Sequence, residues 1–162
     1  MMLTRRDTIG LLVTGAGGLA VGCSRLTKPT PLDVVMTADP GINPNEDGEP
    51  SPIVVRVYEL KGLTAFNNAT FFELADDDVK TLGADLLASQ EYELTPGEEK
   101  KYDREINGEA THIGVVGGFR DIQNAQWRDS IELTPGKKNE FAIYVTSLSV
   151  KVEKLRKRLG IF

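Results

Sequence analysis

Apolar and polar residues alternate in short runs along most of the chain, and Pro, Gly and Asn cut these runs before any long helical stripe can develop. Leu32 to Thr37 is short, β-branched and partly alternating, which predicts a first strand. Ile53 to Leu60 (Ile-Val-Val-Arg-Val-Tyr-Glu-Leu) is the densest β pattern present, and its apolar content predicts a central strand. The period then changes. Asn67 to Leu74 reads as a helix capped by Asn67 or Asn68 with Phe71, Leu74 and Ala75 on one face, and Asp76 to Leu82 reads as a second short helix. The acids Asp76, Asp77 and Asp78 would sit in its first turn, favourable against the positive end of the helix dipole. Two tetrapeptides, Thr95-Pro96-Gly97-Glu98 and Thr134-Pro135-Gly136-Lys137, combine a Pro that presets φ with a Gly that supplies positive φ, so type II turns joining hairpins are expected there. Strands follow near Leu86 to Leu94, Lys100 to Ile106, Thr111 to Phe119, Ser130 to Leu133, Asn139 to Ser147 and Leu148 to Leu155. Seven or eight mostly antiparallel strands with one helical insertion near residues 67–82 predict a mainly β protein, a β-sandwich.

Two segments break this regularity. Asp39 to Pro52 holds Pro40, Pro44, Pro50 and Pro52, two glycines and four acids, a composition that opposes helix and interior strand alike. Loops of this length inside a compact domain tend to be functional or disordered, so the stretch is a candidate binding element or a solvated linker. At the N-terminus, Arg5 and Arg6 precede an uncharged stretch from Thr8 to Ser24 that reads as an export signal. Its glycines, Gly10, Gly15, Gly17, Gly18 and Gly22, make it a poor membrane span. Arg5-Arg6 fits either the general or the twin-arginine route.

The chain has 162 residues and a formal charge of -5, and no basic stripe is interleaved with aromatics, so no nucleic-acid partner is expected. One Cys and one His are too few for a Cys/His metal site, and no cofactor or metal is expected. His112 lacks a neighbouring nucleophile pattern and reads as a strand residue at a sheet surface. Gly114, Gly117 and Gly118 lack the Lys-Ser/Thr ending of a phosphate loop, and close packing or a bulge is the better account. The Asp76–Asp78 run lacks the alternating ligands of a calcium loop. The segment from Asp121 to Arg128, with the only Trp, reads as a loop whose ring covers one end of the sandwich, or as an interface anchor. Lys151, Lys154, Arg156, Lys157 and Arg158 crowd around Glu153, a solvated strand end or a contact for anionic lipid.

Leu19-Ala20-Val21-Gly22-Cys23-Ser24 resembles the lipobox of bacterial lipoproteins, with Ala20 where Leu is usual. The resemblance implies cleavage before Cys23 and acylation of that residue, and several acyl chains give stable membrane anchoring at about 0.8 kcal/mol per buried CH₂. Ser24 rather than Asp implies sorting to the outer membrane, on its periplasmic face. Residues 1–22 would then be the signal, 23–31 a tether, 32–155 the folded body and 156–162 a basic tail. Behind this lipobox come Val54 to Lys61, Phe66, Phe71 to Leu74, Leu82 to Leu87, Leu94 to Glu98, Ile113 to Asp121 and Ala125 to Arg128. In that order and spacing they resemble the TssJ family of type VI secretion lipoproteins.

This resemblance implies a transthyretin-like sandwich with a helical insertion and no catalytic activity. The partner it implies is the periplasmic part of the inner-membrane protein TssM, contacted through the loop between the first two strands. By position that loop is Asp39, Pro40, Gly41, Ile42, Asn43, Pro44, Asn45, Glu46, Asp47, Gly48, Glu49 and Pro50. Glu46, Asp47 and Glu49 would steer a basic surface, and Ile42 with the prolines would offer a stiff apolar contact. A periplasmic carrier of hydrophobic ligands is the alternative; the TssJ reading expects no small-molecule substrate.

Overall fold

The computed structural model describes residues 27–155. The signal segment 1–22, Cys23 and the basic residues 156–162 lie outside the described residues. Eight strands form two four-stranded sheets: β1 (Thr30–Ala38), β4 (Glu99–Ile106), β7 (Asn139–Val145) and β8 (Val150–Lys154) make one in the order β4-β1-β7-β8. In the other, β2 (Ile53–Leu60), β3 (Leu86–Leu94), β5 (His112–Gly117) and β6 (Arg128–Glu132) are ordered β3-β2-β5-β6. All neighbours are antiparallel except β1 and β7, which run parallel. The mainly β sandwich with a small helical segment is therefore the fold observed.

Alternation explains the layering. Along β1 every second residue, including Leu32, Val34, Met36 and Ala38, is buried, and these meet Ile53, Val55 and Val57 of β2 and Ile113 and Val115 of β5 across the sandwich. The strand β2 is central, as its composition predicts, and its second half is covered on both faces. Tyr58, Leu60 and Val116 face a second core built with Phe66, Ala69, Leu74 and Leu82 of the helical insertion. Gly114 makes this close approach possible, since a Cβ there would stand 2.9 Å from the Phe66 ring and 3.0 Å from Leu60.

The insertion starts earlier than the sequence pattern predicts, with α1 (Thr64–Asn68) followed by α2 (Phe71–Leu82) and a 3-10 turn, Gly83–Asp85. Asn67 and Asn68 end α1 instead of capping a helix. Thr70 is the cap of α2 and forms a capping box with Glu73. The expected division of the helical stretch is present: Asp77 has non-helical φ and ψ inside α2, and its carboxylate accepts from the Lys80 N–H at 3.0 Å. The Asp run thus caps the second helical turn, and Asp78 pairs with Arg56 of β2.

The two Pro-Gly turns form as expected, with Glu98 N donating to Thr95 O (3.0 Å), Lys137 N to Thr134 O (3.2 Å), and φ of 78° at Gly97 and 69° at Gly136. Neither closes a hairpin. Each carries the chain from one sheet to the other, β3 to β4 and β6 to β7. The reason is twist: hairpins need the mirror-image turns I′ and II′, whereas a type II turn splays its strands apart. The last strand is shorter than expected, because residues 146–149 form the turn that packs on the β5–β6 connection. Trp127, half-buried just before β6, packs against both cores and lies edge-to-face on Phe71, with the Arg128 guanidinium 4.7 Å from its ring centre.

Candidate interface at the loop pole

Strand directions sort the connections into two poles. The chain enters β1 at Thr30, beside the 133–138 turn and the end of β8, and leaves it at Ala38 into the 39–52 loop. The nine residues of β1 span eight steps of about 3.4 Å, which separates these ends by roughly 27 Å. The 39–52 loop shares its pole with the β3–β4 turn, the β5–β6 connection and the β7–β8 turn.

The loop has a bolted base and a free tip. Ile42 is 0% exposed and belongs to the central core, so it cannot offer a partner the apolar contact expected of it. Its apolar side chain is used to hold the loop down. Asn43 follows at 4% exposure with φ of 46°. Its Nδ2 donates to Pro52 O (2.8 Å), its Oδ1 accepts from Arg120 N (2.8 Å), and its own N–H donates to Ser147 O (3.1 Å). Three connections therefore meet at one residue, two through its side chain and one through its backbone N–H, and Asn tolerates the left-handed backbone that the position requires. Nothing in the sequence distinguishes Asn43 from Asn45 in this role. Asp39 joins the same frame, its N–H donating to Val145 O (2.8 Å) and its carbonyl accepting from Gly97 N (3.3 Å). Ser51 N donates to Ile42 O at 3.1 Å and closes the base.

The tip is folded on itself by Asn45. Its Oδ1 accepts from Asp47 N (3.0 Å) and Glu49 N (2.8 Å), its Nδ2 donates to Glu49 Oε2 (3.1 Å), and Gly48 at φ 81° completes the turn. Glu46, Asp47, Gly48, Glu49 and Pro50 are exposed, Pro44 and Asn45 half-buried, and Pro40 and Gly41 exposed at the base. The result is an acidic knuckle whose shape is set before any partner arrives.

His112 opens β5, half-buried, with Nδ1 2.8 Å from Thr111 Oγ1. The Thr111 hydroxyl donates to Lys61 O at 2.7 Å, so its proton is committed to a carbonyl. This is the structural use expected of a strand histidine. Among the described residues no group of three His, Cys, Asp or Glu is placed to hold a metal ion.

A two-sheet body, a helical pad on one sheet and a preformed acidic loop at one pole are the class of architecture the chain presents. The particular kind of scaffold follows from its relatives. The family model of type VI secretion lipoproteins (VasD, EvfM, TssJ) matches residues 30–148, and the chain belongs to that family. It is similar to the T6SS lipoprotein TssJ1 from Pseudomonas aeruginosa, with 31% identity and a TM-score of 0.76 over 79% of this chain and 98% of that one. It is also similar to Serratia marcescens Lip, a membrane-bound component of the type VI secretion system, at 28% identity and a TM-score of 0.71 over 80% and 99%. A chain in the solved structure of the T6SS protein TssM C-terminal domain from EAEC matches at 25% identity and a TM-score of 0.63 over 77% and 98%. No curated protein sequence matches.

Proposed function

We propose that this protein is a non-catalytic adaptor of the type VI secretion membrane complex, lipid-anchored through Cys23 in the periplasmic face of the outer membrane. Its docking partner is the periplasmic part of a TssM-type inner-membrane protein, held by the tip of the 39–52 loop. The observation that carries this reading is the polarity of β1: the N-terminal segment enters at one end, and the exposed acidic knuckle stands roughly 27 Å away at the other. A protein tethered at the first pole presents the second to the periplasm. Ordering the knuckle in advance lowers the entropy cost of binding, and Glu46, Asp47 and Glu49 steer a basic partner.

Membrane flotation of the full chain tests the anchor: Cys23→Ser should move the protein from the outer-membrane fraction to the soluble periplasm, and unchanged flotation would remove lipidation as the cause. A pulldown from envelope extract with the wild type and a triple reversal, Glu46→Lys, Asp47→Lys and Glu49→Lys, tests the partner. Recovery of a TssM-type protein by the wild type alone supports the loop assignment; equal recovery refutes it.

One observation favours the carrier reading. An open cleft of about 290 Å³ between α2 and the outer face of β2 and β5 is lined by Val54, Tyr58, Phe71, Leu74 and Val116, with Arg56 and Glu91 at its rim. A co-purified hydrophobe seen by native mass spectrometry would favour that reading.

A further inference from the structure

Beside the loop tip lies an open groove of about 650 Å³, lined by Pro44, Asn45 and Glu46 on one wall and by Arg120, Asp121 and Leu148 on the other. The second wall comes from two connections distant in sequence, the β5–β6 segment and the β7–β8 turn. Backbone bonds lock these walls together: Gln126 N donates to Leu148 O (2.8 Å), Val150 N to Gln126 O (3.0 Å), and Asn43 ties both connections to the loop. Asp121 is itself fixed by Asn124, whose Nδ2 donates to Asp121 Oδ2 at 2.9 Å. The groove is therefore a built feature of the pole and not a gap between mobile loops.

Resting on the docking reading above, we infer that the partner is held by this three-connection groove and not by the 39–52 loop alone. The occupant is an extended segment of the partner carrying one apolar side chain flanked by a basic residue. Pro44 and Leu148 face the groove from opposite walls and receive the apolar side chain. Glu46 and Asp121 lie on the lining, with Asp47 and Glu49 beyond, so the rim attracts Lys or Arg. Arg120 is the lone cation of the lining, and among the described residues no ion pair engages it, Glu46 or Asp121. It supplies a donor for a partner carbonyl or carboxylate and sets the direction in which the segment lies. Asn45 is unavailable to the partner, because its amide is spent on the knuckle.

The test measures the affinity of the full mature chain with Cys23→Ser for the purified periplasmic part of the cognate TssM-type protein. Three variants are compared: Arg120→Glu, Leu148→Ser and the loop-tip triple reversal. Arg120→Glu and Leu148→Ser should each weaken binding at least tenfold at an unchanged melting temperature, and raised salt should weaken the wild type. If the tip reversal abolishes binding while both groove variants bind as wild type, the groove inference is wrong and the loop reading stands. If all three bind as wild type, the docking reading itself is wrong and the groove falls with it. A loss confined to variants that also melt early would be a folding effect; Arg120→Ala, which leaves the Arg120 N–H to Asn43 in place, then decides, and wild-type affinity in that variant overturns Arg120's part.

Discussion

Replacing Asn43 by Ala removes the side chain that ties the 39–52 loop to the β5–β6 connection and leaves its N–H bond to Ser147 O in place. Two hydrogen bonds are lost, Nδ2 to Pro52 O and Arg120 N to Oδ1, both at 2.8 Å. A buried polar group left without a partner costs about 1–3 kcal/mol. Arg120 and Pro52 are both exposed, so the freed N–H and carbonyl regain water and both fall at the low end. Ala must also hold φ at 46°, which adds roughly 1 kcal/mol for a residue with a Cβ. The expected total is about 3 kcal/mol. Asn43→Gly relaxes the backbone but adds flexibility to the unfolded chain costing about 0.4–1 kcal/mol, so it should fall short of Ala by at most about 0.5 kcal/mol. Urea unfolding of the soluble domain measures both, and at this size 1 kcal/mol moves the melting temperature by about 3–5 °C. The stability loss should be accompanied by weaker partner binding, because the knuckle loses its side-chain tie to the Arg120 part of the opposite wall. Both variants within about 0.5 kcal/mol of wild type would refute the keystone role, and Ala more stable than Gly by about 0.4–1 kcal/mol, the difference expected without strain, would refute the strain argument alone.

Gly114→Ala places a methyl 2.9 Å from the Phe66 ring and 3.0 Å from Leu60, so it should destabilise by about 1–3 kcal/mol and loosen the helical insertion, read by urea unfolding and by amide exchange in α1. Thr70→Ala removes the hydroxyl half of the α2 capping box and should cost about 1 kcal/mol. Hydrogen bonds from the Thr70 backbone and hydroxyl hold the Glu73 carboxyl below its ordinary value, so its contribution is present above the unfolded carboxylate range and is lost as pH falls through the lower folded value. Carbon-detected titration should show Glu73 protonating below the exposed glutamates, and Thr70→Ala, which removes the hydroxyl but keeps the Thr70 N–H, should return it only part of the way. Glu98 is lowered in the same direction by the Thr95 N–H and the Lys100 ammonium, so Thr95→Ala, which keeps that N–H, should leave most of its displacement intact.

What the chain's order alone determines is local. Ile53 to Leu60 forms a strand because β-branched residues suit a pleated, covered surface, and residues 95–98 and 134–137 turn because Pro and Gly admit few other backbone states. The acidic loop was legible for the same reason, as proline and glycine forbid regular structure between Asp39 and Pro52. Its division was not. Ile42 and Asn43 are buried only because the sheets close above them and because Arg120 and Ser147, some 80 and 100 positions away in the chain, arrive at the same pole. Strand pairing has the same character: both Pro-Gly turns looked like hairpins, yet each hands the chain to the opposite sheet, and β1 finds β4 and β7 through contacts no local pattern encodes. Backbone preference acts over a few residues, whereas burial and pairing are settled by apolar surfaces meeting across the whole chain. The loop could therefore be read from the sequence, while the side chain that holds it and the groove beside it were decided by the tertiary structure.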